Sequence, residues 1–303
     1  MRLMPSVADI LKQTGPLTGA ELVAKGGFTD VLDLWRKCHA AHLILRTVGQ
    51  RYMRLDYAVE GYARLSPSIR REFLTYTVIG LASQREAIEV RAIRLEMDIT
   101  AISREKLDLA RESVCVALAG LPDEPLLLQH TTFMLAGDIA YNMSHRVPRP
   151  EKSSGLMVRG SDLDIIVVTT DDLPTADVRA LDEAIYRQKH YLLSHPGIQE
   201  EIDYVLKPLS RVKEQLTFTS FEHMVACKIL CECELLYGSP FLFNQVMDLV
   251  AASGVRDKLN ALQATAKTKR TLAEQILLDM GATADADAYL HLFYTREEGD
   301  EIY

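Results

Sequence analysis

The sequence has no uninterrupted apolar run approaching the roughly eighteen residues of a membrane-spanning helix. Its start, Met1-Arg2-Leu3-Met4-Pro5, lacks the apolar stretch of a secretory signal. A cytoplasmic protein without a membrane partner is therefore expected. Cysteine is scarce and odd in number, with five at positions 38, 115, 227, 231 and 233, which argues against a disulfide framework. Cys227, Cys231 and Cys233 lie in a segment of helical pattern with no second CxxC pair. Cys231 and Cys233 would leave a helix on different sides, so these thiols are expected as small buried hydrophobes, not zinc ligands. An excess of basic charge is also missing. The net charge is −8, which argues against a general nucleic-acid coat. The imbalance is uneven, because residues 1–60 hold eight Lys/Arg against six Asp/Glu. At 303 residues, 48% hydrophobic and 25% charged, the chain can fold as two domains or as one with a large appendage.

The pattern over residues 6–55 reads helix, helix, helix, hairpin. Ser6 can cap a helix through Gln13, Thr18 can start a second, and Thr29 or Asp30 a third that runs to about Ala41. "HLILRTVGQRYMRLD" reads as two strands joined near Val48-Gly49-Gln50. This order resembles a winged helix-turn-helix domain over residues 1–62. Its third helix carries Arg36, Lys37 and His39, and the hairpin carries Arg46, Arg51 and Arg54. Arg36, Lys37, Arg51 and Arg54 are candidate contacts to DNA or RNA phosphates. A protein-docking or dimerisation module is the alternative, and the oligomeric state is left open.

Residues 63–119 read as a helical linker. Ile69, Phe73, Tyr76 and Ile79 fall at helical spacing. A following helix or helices carries Ile88, Val90, Ile93, Leu95 and Met97 as core, and another begins near Ser103. From about residue 120 strands and helices alternate: strands at 131–136, 163–168 and 201–206, and helices at 175–193 and 221–236. Residues 144–161 read as a long Pro-, Ser- and basic-rich loop, mobile until a ligand orders it. Residues 241–303 are mostly helical and end in a solvated acidic tail, Glu297, Glu298, Asp300 and Glu301. The expected class is α+β, divided into 1–62, 63–119, an α/β domain with a mixed sheet at 120–240, and 241–303.

Chemistry concentrates in Gly160-Ser161-Asp162-Leu163-Asp164-Ile165-Ile166. Side chains alternate along a strand, so Asp162 and Asp164 are expected on one face. Two adjacent carboxylates repel each other and are costly beside an apolar core. A divalent cation relieves that cost, and magnesium suits hard oxygen ligands. Asp203, in Ile202-Asp203-Tyr204-Val205, lies on a second strand one helix further on. A strand–helix–strand unit would bring it towards the pair.

These residues resemble the nucleotidyltransferase superfamily typified by DNA polymerase beta, over about residues 120–240. Ala136-Gly137-Asp138 matches the turn at a helix start, Asp162-Leu163-Asp164 the paired carboxylates, and Asp203 the third. "LLYGSPFLF" at 235–243 is similar to the closing segment of small members. The resemblance implies a magnesium-dependent enzyme with two ions, or manganese in their place, held by Asp162, Asp164 and Asp203 as catalytic residues. It further implies that a nucleotidyl group passes from a nucleoside triphosphate to a protein, RNA end or small molecule, with release of pyrophosphate. Nucleotide contacts would come from Gly137, Asp138, Arg146, Arg149, Gly160, Ser161 and Lys228. Two departures are visible. Asp138 replaces the family's serine, and Asp162 follows it by twenty-four positions. The inserted His145, Arg146, Arg149, Lys152 and Arg159 supply positive charge against Asp138. A nucleic-acid-binding regulator that senses nucleotide without turnover is the alternative function. A small-molecule modifier would leave residues 1–62 unexplained.

Overall fold

The computed structural model describes residues 6–40, 42–280 and 286–303. The fold is mixed α+β with several small sheets. The chain forms two compact units: Met1–Met53 with Arg64–Ile99 and Thr265–Tyr303, and Arg54–Ala63 with Thr100–Ala264. These units cut across the four regions expected from sequence. Residues 1–53 are completed by two distant segments, and the C-terminal region is shared between the units.

The first unit opens with α1 (Val7–Thr14), capped by Ser6. After β1 (Leu17–Thr18), α2 (Gly19–Gly26) starts on a capping box in which Thr18 and Glu21 satisfy each other's backbone N–H groups. Asp30 caps α3 (Val31–Cys38). Ala41, the expected helix end, lies outside the described residues, as do Met1–Pro5. The two strands expected as a hairpin form, β2 (Leu43–Thr47) and β3 (Tyr52–Leu55), but they do not pair with each other. β3 pairs with β4 (Ala63–Ser66). β2 pairs antiparallel with β5 (Thr77–Leu81), from Leu43↔Leu81 to Thr47↔Thr77.

The cause lies in β5. The helical pattern expected through Ile79 covers only α4 (Ile69–Arg71) and a π-helical turn, Glu72–Tyr76. Thr77-Val78-Ile79 is a β-branched run that favours extended backbone. It is buried and central, between β1 and β2, so it takes the partner that the hairpin would have used.

α5 (Arg85–Ala119) is one continuous helix of 35 residues. Nothing breaks it near Ser103, where a new start was expected, because the segment contains neither glycine nor proline. Its buried positions in the first unit are Ile88, Ala92 and Ile99. Val90, Ile93 and Met97, expected in the core, fall on the opposite side at about 100° per residue and are exposed.

In the second unit α6 (Glu124–His130) leads into β6 (Thr131–Leu135), and α7 (Gly137–Ala140) follows at once. The loop expected at 144–161 is a hairpin, β7 (Pro148–Pro150) against β8 (Met157–Arg159). Glu151 organises its turn by accepting from the backbone N–H and hydroxyl of both Ser153 and Ser154. These bonds, foremost the Ser154 hydroxyl, hold the buried Glu151 carboxyl down at about 2. β9 (Leu163–Thr169), α8 (Thr175–Ser194) and β10 (Ile202–Pro208) come next. α9 (Leu209–Gln215) and α10 (Phe221–Glu232) precede β11 (Glu234–Gly238). The helix expected to reach 236 therefore stops at Glu232, and the next residues form a fourth strand. The sheet order is β10-β9-β6-β11, with β10 parallel to β9 and β6 antiparallel to both neighbours. Phe133, Leu163, Ile165 and Val167 pack with Val114 and Leu118 of α5 and Leu181 and Ile185 of α8.

α11 (Pro240–Ala252) follows, then α12 (Val255–Asp279) and α13 (Leu290–Phe293). Leu277 and Phe293 join Leu11, Leu22, Trp35 and Ile79 in the core of the first unit. In the acidic tail Asp300 is exposed as expected, but two of its carboxylates are not. Glu298 and Glu301 are buried and both ion-pair with Arg71. Arg71 offers a planar fork of donors that two carboxylates can share, so the tail is drawn in.

Candidate functional site

β9 and β10 bring two of the three predicted carboxylates together. Asp203 is the register partner of Asp164 on the neighbouring parallel strand, so both side chains leave the same face of the sheet. β6 runs beside β9 on its other edge and delivers Gly137-Asp138 to the same place, since the Ala136 N–H donates to the Asp164 carbonyl at 3.0 Å. Gly137 has φ +69°, and a Cβ there would lie 1.8 Å from Asp164 Oδ2. Only a glycine lets the backbone come this close.

Asp164 as a residue is only half-buried, but its carboxyl packs against this backbone. Burial is the largest influence on it. Asp203 and Asp138 add to the effect while Arg54 and Lys228 oppose it, and the carboxyl ends up at about 7. Lys228 is the counterpart. Its ammonium is buried, and burial together with Arg54 brings it down to about 7 against the pull of Asp164 and Asp138. Lys228 donates to the Tyr141 hydroxyl at 3.1 Å, lies over that ring, and pairs with Glu232. It is therefore a buried and paired lysine.

Asp138, buried, accepts from the Ser161 hydroxyl at 2.6 Å and pairs with Arg54 at 3.0 Å. The Ser161 hydroxyl in turn accepts the His145 N–H at 3.1 Å. The two glycine turns named from sequence thus meet through one hydrogen bond. Gly160, φ +75°, is required because a Cβ would sit 1.9 Å from the His145 carbonyl.

Asp162 opens the Asp-Leu-Asp motif. It precedes β9 and is ion-paired with Arg149, which also reaches Glu201 at 2.9 Å and the Gly160 carbonyl at 3.2 Å. Arg146 pairs with Glu105. Both arginines expected on phosphates hold carboxylates here. Arg54, a residue the sequence pattern assigned to nucleic acid, ion-pairs with Asp138. Among the described residues, no three His, Cys, Asp or Glu side chains stand close enough together to hold a metal. The other three residues expected on nucleic acid also have partners within the chain. Arg36 donates to the Met280 carbonyl, Lys37 pairs with Asp33 at 2.5 Å, and Arg51 makes a two-pronged pair with Glu72. Cys227 and Cys233 are buried thiols, and burial pushes them up to about 11 and about 12.

No family model, curated protein or solved structure matches the chain. Among the described residues, no helix is long and apolar enough to cross a membrane.

One supporting residue escaped the sequence reading. Lys106 of α5 is buried, donates to the Arg159 carbonyl at 2.9 Å and the Ser161 carbonyl at 2.8 Å, and pairs with Glu200. It fixes the Gly160-Ser161 turn from behind. Its signal was present in the helical period. Ser103, Lys106, Ala110, Ser113 and Ala117 form one buried face, and a lysine among small residues on such a face needs a partner.

Proposed function

We propose that this site transfers a nucleotidyl group from a nucleoside triphosphate to an acceptor hydroxyl. The observation that supports this most is the pairing of Asp164 with Asp203 beside the Gly137-Asp138 turn. A hydroxyl oxygen of the acceptor forms a bond to the α phosphorus, the bond from that phosphorus to the bridging oxygen breaks, and pyrophosphate leaves. The hydroxyl proton passes to Asp203, which is exposed on the edge strand β10. Arg54 and Lys228 neutralise the phosphates, and the Gly137 backbone lets them approach. The hard-oxygen donors Asp164 and Asp203 fit magnesium or manganese and would hold it, and Asp162 would be available to it only if Arg149 released that carboxylate. Such ions, one or two, would neutralise phosphate charge and favour ionisation of the acceptor hydroxyl.

A second reading draws on the Arg149–Asp162 pair. A nucleotide that displaces Asp162 from Arg149 would change the β7–β8 hairpin without turnover, and the protein would act as a nucleotide-sensing regulator. The readings separate in one experiment. The protein is incubated with each labelled nucleoside triphosphate, magnesium and cell extract, beside Asp164→Asn. Transfer of label that the variant lacks supports the enzyme. Nucleotide binding with no labelled product from any nucleotide supports the sensor.

A further inference from the structure

Three aromatic rings of the second unit meet in the open. Tyr57 and Tyr62 stack with centroids 5.9 Å apart, and Phe221 meets them edge-on at 5.4 Å and tilted at 5.1 Å. Tyr57 is 74% exposed, so the cluster is not a core that happens to reach the surface. Tyr62 adopts φ +63° behind Gly61, a conformation that bulky side chains rarely take. Hydrogen bonds from its N–H to the Val59 carbonyl and from the Asp56 N–H to its own carbonyl hold it there, at 2.8 and 2.7 Å.

Both segments that carry the rings also carry the cations of the acidic site. Arg54, bound to Asp138, lies three residues before Tyr57. Lys228, beside Asp164, lies seven residues after Phe221 on α10, about two turns and about 10 Å along the same helix face. A nucleoside triphosphate has the matching layout, with phosphates at one end and a flat π-face about that far away.

We propose that Tyr57, Tyr62 and Phe221 form the platform on which the purine base of the bound nucleoside triphosphate stacks, a proposal that rests on the transfer site argued above. Stacking reads a π-face and its area, not a hydrogen-bond pattern. The platform therefore favours purines over pyrimidines and discriminates little between adenine and guanine.

The test titrates the full-length protein with magnesium and either ATP or inorganic tripolyphosphate, which has no base. Tyr57→Ala and Phe221→Ala should each weaken ATP about tenfold and leave tripolyphosphate affinity unchanged. Tyr57→Trp should retain ATP affinity, and UTP should bind the wild type more weakly than ATP. An unchanged unfolding midpoint is expected for Tyr57→Ala, given its exposure. If the variants bind ATP as the wild type does, the platform is wrong while the phosphate site stands. If they lose affinity only for a single-stranded oligonucleotide, the rings serve an acceptor strand and the proposal is overturned. If the wild type binds neither ATP nor tripolyphosphate, the transfer site fails first and the platform with it.

Discussion

Asp164 and Asp203 stand side by side at one level of two parallel strands, and burial pushes the Asp164 carboxyl up to about 7. Two acidic groups so placed raise the free energy of the empty protein, and an acceptor of that charge recovers it. Asp164→Asn removes the charge and keeps the shape. The variant should lose nucleotide transfer at least a thousandfold, on the order of what a group central to transition-state electrostatics contributes. It should unfold in urea at or above the wild-type midpoint at neutral pH. A clear loss of stability would mean that the carboxylate is structural.

Gly137→Ala tests the close approach from the other side. The added Cβ would meet Asp164 Oδ2 at 1.8 Å in a backbone conformation with φ +69°. Asp164 or the α7 turn must move, so nucleotide affinity should fall tenfold or more and stability by about 1–3 kcal/mol. Isothermal titration and urea unfolding measure the two effects. A variant that binds nucleotide normally would show that the turn is not part of the phosphate site.

What the sequence displayed was local. The caps at Ser6, Thr18 and Asp30, the strand at 163–168, and the meeting of Asp164 with Asp203 all follow from short-range pattern and a strand–helix–strand unit. What it hid depended on distant partners. β2 pairs with β5 because a β-branched run out-competes the nearer strand, and helical spacing masked that run. Arg54 looked like one more basic hairpin residue until Asp138 appeared opposite it. Glu298 and Glu301 looked like a solvated tail, because charge in a terminal segment carries no mark of the Arg71 that buries it. Asp162 kept its place in the motif but not its neighbour, since Arg149 and Glu201 lie far from it in sequence.

Lys106→Met should cost more than any surface change. The ammonium pairs with Glu200 and holds two carbonyls of the 159–161 segment, and loss of one member of a buried ion pair costs about 3–5 kcal/mol. Unfolding monitored by a probe in the second unit should show this. Nucleotide affinity should fall too, because the Ser161 hydroxyl that binds Asp138 depends on the same turn. A midpoint within about 0.5 kcal/mol of wild type, the range of an ordinary surface substitution, would refute the role.

The Arg71 cluster makes a prediction about acid. Burial alone would raise Glu298, but the Arg71 guanidinium, the Ser68 hydroxyl and Arg64 outweigh it and bring the carboxyl to about 2 from an ordinary 4.5. A carboxylate with a depressed native pKa contributes stability that is fully present above about 4.5 and is lost as the pH falls towards about 2. Glu298→Gln should therefore be destabilised at pH 7, by about 3 kcal/mol, and converge on the wild type near pH 2. Arg71→Met should reverse the sign of the wild-type pH dependence at this carboxyl. Without the guanidinium, burial dominates, and the native Glu298 carboxyl moves above its unfolded value. This variant should be least stable at neutral pH and gain stability relative to wild type as acid protonates the buried carboxyl. Urea midpoints for the three proteins across pH 2–7 give the answer. Parallel pH curves for wild type and Arg71→Met would show that the tail is held by its apolar contacts, Phe293 foremost, and that the buried carboxylate does not depend on Arg71.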